Sequence, residues 1–271
     1  MAEHPHFGRR PLSGGETTSA NRRWWDSEAA DYYAEHGDFL GDCELVWGPE
    51  GWREDELAVL GPPERLRGAR VLEFGAGGAQ GGRWLAARGA TVVSSDLSEG
   101  MIEVAKGVNR RVETGGSPIP ALAVADACSL PFADASFDLA VSAYGAVPFV
   151  ADSAGLMVEL ARVLRPGGRL VFSTTHPIRW AFPDAPGPDG LAARYSYFDR
   201  TPYVEGEGGI VTYAEHHRTL GDRVRELVAA GFVVEDLVEP EWHPQNSQTW
   251  GGWSPLRGDL LPGTVIFSAR R

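Results

Sequence analysis

The sequence predicts an α/β protein built on a doubly wound, mostly parallel sheet, and three observations lead there. Short apolar runs at 70–74, 91–95, 121–125, 136–141 and 170–174 alternate with segments of helical period, the order that yields parallel strands joined by right-handed crossovers. The first run is followed by a glycine cluster, Gly75-Ala76-Gly77-Gly78, and then by a helix-like stretch. Glu73, Asp96 and Asp126 stand at the carboxyl ends of the first three runs, the edge of an open parallel sheet where ligands lie.

In chain order, residues 1–20 are polar and rich in Pro, Gly, Ser and Thr, and read as a flexible arm. Residues 21–60 read as a helical cap. A helix over 20–37 places Trp25, Ala29, Tyr32 and Tyr33 on one stripe, which faces the core unless a ligand lies beneath it. A turn-rich loop follows at 47–51, where Trp47 either borders a ligand or packs, then a short helix over 52–60.

Residues 61–176 form the core. Glycines after the first strand permit positive φ and close approach of a ligand to the backbone. The dinucleotide pattern fails, because Gln80 stands where a third glycine belongs, and the chain's one lysine, Lys106, is far from this turn. Glu73 before the turn would repel a pyrophosphate and suits a cationic group. Asp96 lies roughly 20 residues beyond the glycines, the spacing at which a carboxylate meets ribose hydroxyls. Ser98 caps the next helix, whose Met101 packs either on a purine or in the core. The fourth strand ends at Ser142-Ala143-Tyr144, and Asp152 or Ser153 caps a helix with apolar positions 156, 157, 160, 163 and 164 on one face.

Residues 177–217 break the alternation with prolines at 177, 183, 186 and 188 and many aromatics, among them Trp180, Phe182, Tyr195, Tyr197, Phe198 and Tyr203. Leaving the carboxyl end of the fifth strand, this insertion must cover the ligand side, so it reads as a substrate lid. Residues 218–271 return to the sheet with a helix over 219–230 and strands at 232–238 and 264–268. The loop between those strands carries Trp242, His243, Trp250 and Trp253, which pack at a rim or wall the site.

Four motifs carry a family resemblance. Glu73-x-Gly75-x-Gly77, the run from Asp126 through Leu130-Pro131-Phe132 to Asp138, Leu164-Arg165-Pro166-Gly167-Gly168-Arg169-Leu170-Val171, and the rhythm Trp25-Asp26-x-x-Ala29-x-x-Tyr32 together resemble the class I S-adenosylmethionine-dependent methyltransferases of small-molecule type. The resemblance covers roughly residues 70–175 and, weakly, the flanks; Ala79 departs from a frequent third glycine. It implies a Rossmann-like, seven-stranded sheet with an antiparallel last strand, and S-adenosyl-L-methionine as cofactor. It further implies that Glu73 helps hold the methionine amino group, that Gly75 and Gly77 line the cofactor, and that Leu97 and Met101 border it beside Asp96. Asp126 accepts from the adenine amine and the Ala127 N–H donates to a ring nitrogen. Ser142 falls on the same rim, and Trp25 and Tyr33 belong to a helix folded over the cofactor.

Methyl transfer needs a base only where the acceptor must lose a proton. His176, directly after the fifth strand, is the first candidate, followed by His216 and His217 and then His243; imidazole titrates near working pH. Tyr144 and Arg179 are candidates to position the acceptor. Two cysteines, Cys43 and Cys128, form no disulfide framework and no zinc pattern, so no metal is expected. A net charge of −12 argues against nucleic-acid or anionic-membrane partners, and no apolar run approaches a membrane span. The expected protein is a cytoplasmic monomer or homodimer acting on an uncharged or cationic, partly apolar small molecule. Two rivals stand beside it: a non-catalytic protein that binds S-adenosylmethionine or its product, and a nicotinamide oxidoreductase.

Overall fold

The computed structural model describes residues 6–271. Strand β1 (His6–Arg9) leads into helix α1 (Gly14–Leu40), and a short helix α2 (Glu54–Leu57) precedes the core. The core runs β2 (Arg70–Phe74), α3 (Gln80–Ala87), β3 (Thr91–Asp96), α4 (Glu99–Thr114), β4 (Ala121–Val124), β5 (Phe137–Ser142), α5 (Ser153–Val163), β6 (Leu164–Thr175). Then come β7 (Tyr203–Glu207), β8 (Ile210–Glu215), α6 (Leu220–Ala229), β9 (Val233–Val238), α7 (Pro255–Gly258) and β10 (Thr264–Arg270).

The main sheet has seven strands in the order β4-β3-β2-β5-β6-β10-β9. Neighbours from β4 to β6 are parallel, and β10 alone runs antiparallel, to both β6 and β9. Both faces are covered, as the apolar runs require. Alternation along β2 sends Leu72 and Phe74 to one face and Val71 to the other. The first face is covered by Leu156, Met157 and Leu160 of α5 and Leu227 of α6, the second by Trp84 and Leu85 of α3 with Leu45 and Leu60. Trp47 belongs to this second layer, fully buried with its indole N–H donating to Glu54 at 2.9 Å; of its two readings, packing is the one realised.

Residues 6–20 are not a free arm. β1 pairs antiparallel with β7, and α1 starts at residue 14 behind a reciprocal cap in which the Glu16 N–H donates to Ser13 and the Ser13 N–H donates to Glu16, a device worth about 1 kcal/mol. The remainder of the expected arm, residues 1–5, lies outside the described residues. The expected lid is also more regular than its prolines suggest. β7 and β8 form a hairpin whose turn, Gly208-Gly209, takes φ of +59° and +78°, the double left-handed conformation of a two-residue hairpin turn. With β1 they make a second, three-stranded sheet.

Helix α1 is fastened at two points in its first half. The Asn21 amide donates to the carbonyls of Phe149 and Ala214 at 3.0 Å and accepts from the Ala214 N–H at 2.9 Å. Farther along, Asp26 accepts from the Ser98 hydroxyl and the Gly100 N–H, at the start of α4. Gly100 permits this crossing: a Cβ there would stand 2.6 Å from the Asp26 carbonyl.

Candidate active site

The carboxyl ends of β2, β3 and β4 open onto one cavity of about 390 Å³, and Glu73, Asp96 and Asp126 all line it. Asp96 is locked by two backbone donors, the Gly77 N–H at 2.8 Å and the Ser98 N–H at 2.9 Å, one to each carboxylate oxygen. Each oxygen keeps a lone pair for a ligand hydroxyl. Asp126 accepts from the Cys128 N–H at 2.9 Å through one oxygen. Glu73 is buried beneath α3 and accepts from the Ser94 hydroxyl at 2.6 Å; burial pushes its carboxyl up to about 7, although that hydrogen bond and the nearby Arg83 favour the charged form. Gly75, Gly77, Leu97, Met101 and Ala127 line the same cavity. Gly75 takes φ +60°, and a Cβ on it would stand 2.4 Å from the Ala146 N–H nitrogen, so no larger residue lets the two strand-end loops pass. Beside Gly77, by contrast, the space a Cβ would occupy is open.

Trp25 and Tyr33 of α1 form the roof of this half. Tyr33 is held by Asp42, which Arg111 of α4 grips with hydrogen bonds at 2.8 Å. Met101 is almost fully buried and also borders the cavity. Ser142 does not reach it: the residue is fully buried on the rim strand, and its hydroxyl finds no partner among the described residues.

The other half of the cavity is walled by Phe149, Trp250 and Trp253, and by Tyr144, Arg179, Asp184, Tyr213 and Glu215. Tyr144 takes φ +58°, a conformation costing an aromatic residue about 1–2 kcal/mol. Its N–H donates to Ser173 at 2.8 Å, and Ser173 in turn donates to the Trp47 carbonyl. Burial raises the Tyr144 phenol well above its ordinary range, which suits a hydroxyl that donates a hydrogen bond rather than a base.

None of the candidate histidines borders the cavity. His176 caps the 3₁₀ turn that follows it: Nδ1 accepts from the Ile178 N–H at 3.1 Å, so Nε2 carries the proton and donates to Glu239 at 2.7 Å. His243 repeats that arrangement, with Nδ1 accepting from Gln245 and Nε2 facing Glu56 at 3.3 Å. His217 donates through Nε2 to the Tyr197 carbonyl at 2.7 Å, and His216 meets Thr17 at 3.0 Å. Burial pulls both of the latter down to about 4. A base needs reach and an available lone pair; none of these imidazoles has the reach, and at His176 and His243 the Nδ1 lone pair is already used by a backbone N–H. Of the lid aromatics singled out in the sequence, none lines the cavity; Tyr213, not singled out, does.

A family model described as "Methyltransferase domain" matches residues 72–172. Over 212 residues the chain is 42% identical to a demethylmenaquinone methyltransferase of Beutenbergia cavernae, covering 78% of this chain and 80% of that one. The chain belongs to the class I S-adenosylmethionine-dependent methyltransferases. This methyltransferase is also 34% identical to Methyltransferase GfsG of Streptomyces halstedii, over 83% of its own length and 88% of the relative's. A crystal structure of an S-adenosylmethionine-dependent methyltransferase from Mesorhizobium loti shares the fold with a TM-score of 0.62 and 29% identity, covering 83% of this chain and all of that one. Against another demethylmenaquinone methyltransferase the chain spans about half the relative's length, 48%.

The residues of the cavity fit the family's cofactor, S-adenosyl-L-methionine. The cavity holds three carboxylates, Glu73, Asp96 and Asp126, which are acceptors for the amine and hydroxyl donors such a molecule carries. Open space beside Gly77 leaves a cradle along the glycine turn. Three acids around one cavity suit a cation and would repel the pyrophosphate of a nicotinamide cofactor.

Proposed function

We propose that this methyltransferase transfers a methyl group to a small-molecule acceptor held at the lid end of the cavity. The observation that carries the reading is that the three-carboxylate rim and the aromatic half, with Phe149, Trp250 and Trp253, belong to one continuous cavity. When bound, the cofactor supplies a methyl carbon on a sulfonium, whose thioether leaves without protonation. The chain's own work is then alignment and exclusion of water. Asp96 and Asp126 fix one end of the cofactor, Glu73 the other, and α1 closes over them through Trp25 and Tyr33. Tyr144 and Arg179 orient the acceptor. The names of the quinone-methylating relatives favour a ring-bearing acceptor, which the aromatic walls would stack.

In this reading the domains expected from the sequence serve distinct tasks: residues 21–60 cap the cofactor, 61–176 bind it, 177–217 hold the acceptor, and 218–271 complete the sheet. Calorimetry with S-adenosylmethionine, followed by a mass-shift screen of ring-bearing small molecules, tests the proposal. Saturable binding and a gain of one methyl group on an acceptor support it. Binding without transfer to any acceptor would favour a sensor instead.

A further inference from the structure

The lid sheet carries a repeated pattern that neither the fold nor the cofactor site requires. Tyr203-Val204-Glu205 on β7 and Tyr213-Ala214-Glu215 on β8 are both Tyr-x-Glu, so each strand places a tyrosine and a glutamate on one face. The antiparallel register sets Tyr203 opposite Glu215 and Glu205 opposite Tyr213. Within each strand the tyrosine hydroxyl donates to the glutamate, Tyr203 to Glu205 at 3.0 Å and Tyr213 to Glu215 at 2.5 Å. Of these four, Tyr213 and Glu215 line the cavity.

Arg179 lines it as well. Its guanidinium lies 4.4 Å over the Trp180 ring and makes one hydrogen bond, to Asp184 at 2.9 Å. That leaves a largely buried cation with N–H groups unspent, and such groups need acceptors. Glu215 and Asp184 both favour the charged form of Arg179. Glu215 nevertheless makes no ion pair with it within 4.0 Å. Asp184 holds the cation and the Tyr213 hydroxyl holds the carboxylate, so two opposite charges line one cavity without pairing. The groups facing Glu215 are thus Tyr213 on its own strand, Tyr203 and Glu205 on β7, and Arg179 and Tyr144 from the loops after β6 and β5.

A hydroxyl on an aromatic or enolic ring satisfies both sides at once, its hydrogen donated to Glu215 and its oxygen accepting from Arg179. Resting on the methyltransferase reading above, we infer that the acceptor carries an acidic ring hydroxyl, that Glu215 takes its proton, and that Arg179 holds the resulting oxyanion. The O–H bond breaks and the proton passes to a Glu215 oxygen. The electron pair left on oxygen, or on the ring carbon conjugated with it, forms the bond to the methyl carbon as the carbon–sulfur pair returns to sulfur. Transfer at carbon then releases that carbon's hydrogen as a proton to water.

The test measures binding of 1-naphthol, 1-methoxynaphthalene and 1-aminonaphthalene to protein saturated with S-adenosylhomocysteine, with ultraviolet absorbance reporting ionisation of the naphthol. Wild type should prefer the naphthol over its ether by roughly tenfold or more, as for a charge-assisted contact, and should hold it ionised below the pH at which free naphthol ionises. Glu215→Gln should bind the naphthol but leave it protonated. Arg179→Met should lose roughly tenfold in naphthol affinity, with Arg179→Lys recovering part of it. S-adenosylhomocysteine calorimetry on each variant separates the two levels: loss of that binding in wild type defeats the methyltransferase reading, whereas intact cofactor binding isolates the acceptor. Equal affinity for naphthol and ether, no binding of naphthol, or naphtholate persisting in Glu215→Gln each overturns the inference.

Discussion

Asp96 is the residue on which the cofactor site turns, because its two oxygens are already fixed by the Gly77 and Ser98 N–H groups before any ligand arrives. Asp96→Ala should therefore weaken S-adenosylmethionine binding at least tenfold, or about 1.4 kcal/mol, by calorimetry; unchanged affinity in a folded variant would contradict the assignment. Glu73 behaves differently, since burial raises its carboxyl to about 7. A raised acid stabilises the fold in its neutral form, so that contribution is complete below the ordinary glutamate value and is lost as pH rises through about 7. A bound ammonium favours the ionised form. Cofactor binding near pH 6 should then release protons, seen as a dependence of the calorimetric heat on buffer ionisation enthalpy that vanishes in Glu73→Gln. His216 and His217 are depressed to about 4, so the sign reverses. Their contribution is present above the ordinary histidine value and is lost as pH falls through about 4. Proton-detected titration of the imidazoles should find both neutral at pH 6, and a charged ring there would refute the burial argument.

At the scale of elements, α1 is a roof fastened by a few specific contacts rather than a core helix. Gly100→Ala places a Cβ against the Asp26 carbonyl at 2.6 Å, and neither backbone can yield without parting α1 from α4. The variant should keep its sheet yet lose about 1–3 kcal/mol, with faster proteolysis within residues 14–40 and weaker cofactor binding. Leu160 in α5 is the converse case, fully buried on the sheet face away from the site's roof. Leu160→Ala should cost about 2–5 kcal/mol in chemical denaturation and leave cofactor affinity unchanged in the folded fraction. The strands and their terminal acids were legible because a parallel sheet fixes where each carboxyl end must fall. The histidines were not, because His176 and His243 turn back on their own loops, a choice made by Ile178, Gln245 and their neighbours. The lid hairpin did leave a signal, the Gly208-Gly209 pair between alternating residues, which the surrounding prolines obscured.

Across the whole molecule, two sheets share one cavity. The seven-stranded sheet contributes the three acids at its carboxyl edge, and the small sheet of β1, β7 and β8 contributes Tyr213 and Glu215 of β8. That division explains why motifs within 70–175 identified the family while the other half was read only in part, with Tyr144, Arg179, Trp250 and Trp253 but without Tyr213 and Glu215: β1 and β7 pair across nearly two hundred residues, a contact no local pattern announces. Arg179, Tyr213 and Glu215 reach the cavity through that long-range pairing and through loop geometry. The measurement that bears most directly on the account is a crystal structure with S-adenosylhomocysteine bound. The adenosyl group should lie between Asp96 and Asp126 with its amino-acid end toward Glu73. A ligand seated elsewhere, or contacting none of these three carboxylates, would contradict it.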